Sequence, residues 1–157
     1  VASIVASHFA PEWVLCIKET GEAWVVDYSA PDSPGIKMME AECFLTDGGW
    51  DCTLFRFLVA ANAMNKIDVI HAKEINFGAL IDRCGINPDP GLGANWVDPK
   101  FEAFWASRYD SEGVWSRISP DPDHHCDFDW KDPMKIKARS SGDVFIKRIP
   151  NSKWVWL

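Results

Sequence analysis

Hydrophobic and polar positions along the chain change their period twice. "WVLCIKETGEAWVVDY" holds two β-favouring runs around Glu19-Thr20-Gly21-Glu22, a four-residue connection with a glycine, and this predicts an N-terminal hairpin. The turn residues of "SAPDSPG" make a loop, and "MMEAECFL" is an apolar segment that fits either a strand or a short helix. After "TDGGW" the spacing becomes helical. Asp51 is a good N-cap, and Leu54, Phe57, Leu58 and Ala61 recur on one helical face, with Phe55 and Val59 widening the stripe. This helix is expected to end near Asn65. A second helix over about 72–84 would carry Ile75, Leu80 and Ile81 inward and stop at Gly85. A third opens at Asp98-Pro99, an N-cap followed by proline at the first helical position, and runs through Phe101, Phe104 and Trp105 to about Arg108.

Beyond Gly113 the period shortens to two. "GVWSRI", "HCDFDW", "MKIKAR", "DVFIKRI" and "KWVWL" are short β-favouring runs separated by turn residues, and Met134-Ile136-Ala138 alternates with Lys135-Lys137-Arg139. The expected fold is therefore segregated α+β: an N-terminal β-hairpin, two or three central helices, and a C-terminal antiparallel β-meander that packs Ile136, Val144 and Ile146 against them. A length of 157 residues, 47% of them hydrophobic, fits a single globular domain over 1–157. "WVDPKF" and "WKDPMK" echo each other once, too little for a repeat.

Sixteen basic against 23 acidic residues give a net charge of −7, which disfavours binding to nucleic acid. Seven basic residues stand against Asp132 and Asp143 from Lys131 onward, and this segment reads as a solvated strand face. No apolar run is long enough for a transmembrane segment. The five cysteines are widely spaced with no CxxC pair, so buried thiols in a reducing compartment are expected rather than a disulfide framework. The chain starts at Val1, as expected of a processed or excised chain, and "VASIVASHFA" lacks the features of a signal peptide, so no localisation is indicated.

Cys52 carries the sharpest chemical signal. Placed in the first turn of the predicted helix after a Gly-Gly loop, its sulfur would meet the positive end of the helix dipole, which favours thiolate. Its backbone N–H is a plausible oxyanion donor. His125, at the start of a predicted strand, is the best-placed base, and Asp143 could orient the imidazole, with Asp127 and Asp129 as rivals. On "WDCTLF" and "HHCDFDW" the chain resembles the papain-like cysteine peptidase and amidase superfamily. The resemblance implies Cys52 as nucleophile, His125 as general base and Asp143 as orienting residue, acting on a peptide or amide substrate. No Gln or Asn stands at the oxyanion position before Cys52, and the N-terminal hairpin has no required counterpart in that superfamily.

The other reading of Cys52 is a buried, inert thiol beside Trp50 and Phe55. Under it, the nine tryptophans serve core packing or an interface, and the protein is a non-catalytic structural or interaction subunit that docks a protein partner through a Trp-rich surface. His8 and His71 read as packing or capping residues. Asp121, Asp123, His124, His125, Cys126, Asp127 and Asp129 crowd into nine residues, but no second cluster completes a ligand set, so a hydrated acidic turn is expected and neither metal nor cofactor. In "SKWVWL", Trp154 and Trp156 would share one strand face and Val155 and Leu157 the other, so something should cover them.

Overall fold

The computed structural model describes residues 1–71, 73–82, 88–98, 102–109, 114–118, 134–137, 147–149 and 151–156. The first sheet joins β1 (Ser3–Ala6), β2 (Glu12–Ile17), β3 (Glu22–Asp27) and β4 (Gly35–Glu40) in sequence order. The second joins β5 (Leu45–Trp50), β6 (Arg56–Ala61), β7 (Lys66–His71) and β8 (Asn76–Asp82) in the same way. The third joins β9 (Pro88–Asp98), β10 (Glu102–Tyr109), β11 (Val114–Ile118) and β12 (Met134–Lys137). All neighbours within these sheets are antiparallel, as are β13 (Lys147–Arg148) and β14 (Val155–Trp156), which form a separate pair. Among the described residues one four-stranded meander thus occurs three times, and the first strand of each sheet lies beside the first strand of the next.

Side-chain alternation holds these sheets together. β6 is buried along its whole length because it is covered on both faces. Phe57, Val59 and Ala61 point one way and share a layer with Val14, Cys16, Ala23, Val25 and Met39 of the first sheet. Leu58 points the other way, into a layer with Ile67, Val69 and Ile81 of its own sheet and Trp105 and Ile118 of the third. Each large side chain so buried contributes about 1.5–3 kcal/mol. In the hairpin of β2 and β3, Gly21 takes the left-handed conformation (φ +71°), and its missing Cβ makes room for the backbone of Glu42 and Cys43.

Where the α+β reading expected central helices, the described residues form strands and turns. The described residues contain no α-helix, only the 3-10 turn Asn62–Met64. Residues 51–55 form a turn and the rest of the first expected helix is β6, the 3-10 turn and the entry to β7; β8 occupies most of the second expected helix and β10 most of the third. Gly85 lies outside the described residues. The physical reason is two-sided burial. A strand covered on both faces is apolar at every position, and a helical stripe can be drawn through such a run as easily as a strand. The glycines of "TDGGW" were also misleading, because they belong to β5. A Cβ on Gly48 would lie 2.7 Å from the Leu58 carbonyl oxygen and 2.7 Å from the Phe57 ring, so the glycine serves close packing and not a loop. After Gly113, β11 and β12 pair antiparallel, but among the described residues there is no α-helix for a meander to pack upon, and Val144 and Ile146 lie outside them.

Candidate functional site

Two clusters of polar and aromatic side chains form at opposite ends of the strands. The first lies where β1 and β5 end. Asp51, fully buried, builds the turn to β6: its Oδ1 accepts the Arg56 N–H at 3.1 Å, its Oδ2 accepts the Thr53 hydroxyl at 2.5 Å, and the Arg56 guanidinium lies 3.8 Å away. Trp50 donates its indole N–H to the Ala6 carbonyl at 3.1 Å and meets His8 and Phe57 edge to face. Asn95 of β9 donates to the Trp50 carbonyl at 2.5 Å, and Phe9 stacks on Phe55 across the two loops. Three first strands are tied together here by hydrogen bonds and rings.

The second cluster surrounds the strap 41–44 that carries the chain from the first sheet to the second. The Glu42 N–H donates to Asp68 Oδ2 at 2.8 Å, and the Glu42 carboxylate pairs with Lys66. Asp68 is fully buried on β7, and its Oδ1 has no hydrogen-bond partner among the described residues. Burial, reinforced by Glu42 and opposed by the Glu42 N–H and by Lys66, pushes its carboxyl from a usual 3.8 up to about 6. Cys16 of β2 feels the same surroundings: burial and the Asp68 charge raise its thiol to about 11, against a lowering by Ser3, so it is not a thiolate at neutral pH. Neither Asp68 nor Glu42 stood out in the sequence. The signal was an aspartate inside the apolar run "KIDVI", a residue type that is rarely buried without a partner.

Cys52 is half-buried in the turn 51–55, with no helix behind it to lend a dipole. His125 and Asp143, its expected partners, lie outside the described residues, as do Asp127, Asp129 and the rest of the acidic cluster from Asp121. His8 packs on Trp50, and the His71 ring lies over Gly78. Trp154 and Trp156 are 65% and 64% exposed, so the described residues leave both rings uncovered.

Meanders of four antiparallel strands, repeated in sequence with their first strands side by side, are the blades of a β-propeller. The model of the cytochrome D1 heme domain family matches residues 1–157, and the chain belongs to that family. It is 40% identical over 161 residues to a nitrite reductase of Stutzerimonas stutzeri, covering 99% of this chain and 29% of that protein. The chain therefore spans under a third of that relative's length. Among solved structures, the dihydro-heme d1 dehydrogenase NirN in complex with DHE superposes with a TM-score of 0.72 at 22% identity, over 92% of this chain and 29% of that one. The hydrazine synthase of Kuenenia stuttgartiensis superposes with a TM-score of 0.69 at 11% identity, over 99% of this chain and 42% of that one. These last two likenesses concern the fold alone.

Family membership overturns the papain-like resemblance and with it the cysteine hydrolase acting on peptide or amide bonds. It equally replaces the alternative of a non-catalytic Trp-rich docking subunit. Among the described residues, no helix is long and apolar enough to cross a membrane.

The family implies a d1 heme, whose iron a histidine side chain could hold. The described residues do not fit that group by themselves. Of their histidines, His8 packs on Trp50, His71 lies over Gly78, and no three potential metal ligands converge among them. A pocket of about 280 Å³, lined by Glu12, Val25, Asp27, Gly35, Ile36, Lys37 and Ile75, holds neither histidine nor cysteine. There, burial and the neighbouring Asp27 raise the Glu12 carboxyl above its usual range.

Proposed function

We propose that this chain forms part of the wall of a d1-heme-binding β-propeller, in a protein that acts in nitrite reduction. The observation that carries the reading is the match to the cytochrome D1 heme domain family over residues 1–157. The 40% identity to a nitrite reductase supports the choice of substrate. When bound, the heme supplies a redox-active iron, and the protein supplies position and surroundings. The part we assign to the described residues is mechanical. Interlocked layers on both faces of the second sheet, and the ties between β1, β5 and β9, hold the first strands in fixed positions. We also propose that residues 1–157 lie within one globular unit, since adjacent sheets share their apolar layers.

The test is a titration of the intact, heme-free protein with d1 heme, followed by visible absorption. A saturable one-to-one spectral change is expected, and its absence counts against heme binding. The loaded protein, reduced and mixed with nitrite, is then expected to reoxidise. If it stays reduced, the nitrite assignment fails while the heme-binding assignment stands.

A further inference from the structure

The strap 41–44 is clamped from both sides. The first sheet holds it through the Lys18 carbonyl, which accepts the Phe44 N–H at 2.8 Å, and the Gly21 carbonyl, which accepts the Ala41 N–H at 2.8 Å. The second sheet holds it through Asp68, which accepts the Glu42 N–H, and through Lys66, which pairs with the Glu42 side chain. Gly21 leaves no slack, since a Cβ there would lie 3.0 Å from the backbone of Glu42 and Cys43. Asp68 is the fully buried member of this clamp, and one of its two oxygens has no protein partner among the described residues. Ionised in that position, the carboxylate has one oxygen with neither donor nor solvent, a cost that opening of the strap, which donates to the other oxygen, would relieve.

We propose that the strap 41–44 is a proton-operated latch between the first and second sheets, closed over Asp68 when that carboxyl is protonated and loosened when it is ionised. The titratable and charged groups around Asp68 are Cys16 from β2, Glu42 from the strap and Lys66 from β7. Its cross-strand neighbours are the uncharged Val59 of β6 and Leu80 of β8. Cys16 holds its proton throughout the neutral range, and the Glu42 carboxylate is paired with Lys66. The raised pKa of Asp68 agrees with its part in the latch.

Site-resolved hydrogen exchange on the intact protein tests the latch, with the Glu42 amide as reporter. Its protection factor, corrected for intrinsic exchange, is expected to fall by about tenfold per pH unit between the carboxyl's titration in the open and closed states, then to level. The Leu58 amide, inside β6, should show no such dependence. In Asp68→Asn, which keeps an acceptor for the Glu42 N–H, protection should be independent of pH. In Glu42→Gln, which removes a charge that adds to the effect of burial on the Asp68 carboxyl, the levelling should occur at lower pH. A flat wild-type profile, an equal dependence at Leu58, or an unaltered dependence in either variant overturns the proposal. Should Asp68→Asn fail to fold, the wild-type and Glu42→Gln profiles decide it.

Discussion

Asp51 holds the turn from β5 into β6 through its side chain. A short carboxylate that accepts backbone N–H groups just ahead of it caps a helix or closes a turn with equal ease. Here it closes the turn into β6 and sits, fully buried, beside Arg56. Asp51→Ala removes two accepting oxygens and the counter-charge of a buried guanidinium. It is expected to destabilise the protein by roughly 3–5 kcal/mol in urea unfolding, whereas a loss under 1 kcal/mol would show the pair to be incidental. Cys52, next along, was legible as a cysteine at an element boundary, but nothing in "WDCTLF" distinguishes a helix start from a hairpin turn. Asp68 was hidden because its partners come from the strap, more than twenty residues away. Its pKa of about 6 in the fold, against 3.8 ordinarily, fixes the sign of a pH effect. Below the unfolded value both states hold the proton and the stabilisation is complete. As pH rises from about 4 to 6 the unfolded chain alone loses it, so stability falls. Denaturation midpoints of the wild type are expected to drop over that window relative to Asp68→Asn, and parallel profiles would contradict the assignment.

At the scale of elements, the hairpin of β2 and β3 was legible because a turn with Gly21 separates runs that keep a strand's composition. β6 was not, because both of its faces are buried and its neighbours are remote in sequence. Alternation fails as a signal wherever a sheet is an inner layer, and "RFLVAA" contains no polar position after its arginine to mark a solvent face. The glycines of β5 belong to the same effect, since Gly48 is empty space reserved for Phe57. Gly48→Ala forces the added methyl against a carbonyl and an aromatic ring. A loss of about 1–3 kcal/mol in thermal or urea unfolding is expected. An unchanged midpoint would mean that β5 and β6 are less closely packed than described.

At the scale of the molecule, the described residues cover the second sheet on both faces but the first on one. Its other face carries Ile4, Trp13, Ile36 and Met38, exposed by 45–61%, and so much apolar surface on one face favours association. The 157 residues produced alone are therefore expected to bind a hydrophobic dye and to self-associate, as measured by fluorescence and light scattering. A monomer that does neither would contradict this. The relation of the three meanders was the feature least visible in the sequence. Blade-to-blade similarity here lies in topology, not in repeated residues, and the one echo found, "WVDPKF" with "WKDPMK", does not follow it.

The stacked-sheet arrangement makes Phe57 and Leu58, adjacent in sequence, members of different apolar layers, and methyl and aromatic NMR of the intact protein tests this directly. The ring of Phe57 is expected to show cross-relaxation to the methyls of Val14 and Val25 in the first sheet, and the methyls of Leu58 to Trp105 and Ile118 in the third. Contacts from both residues to one common layer, or the three- and four-residue contacts of a helix running from Leu54 to Ala61, would contradict the fold on which the assignment to a heme-domain wall rests.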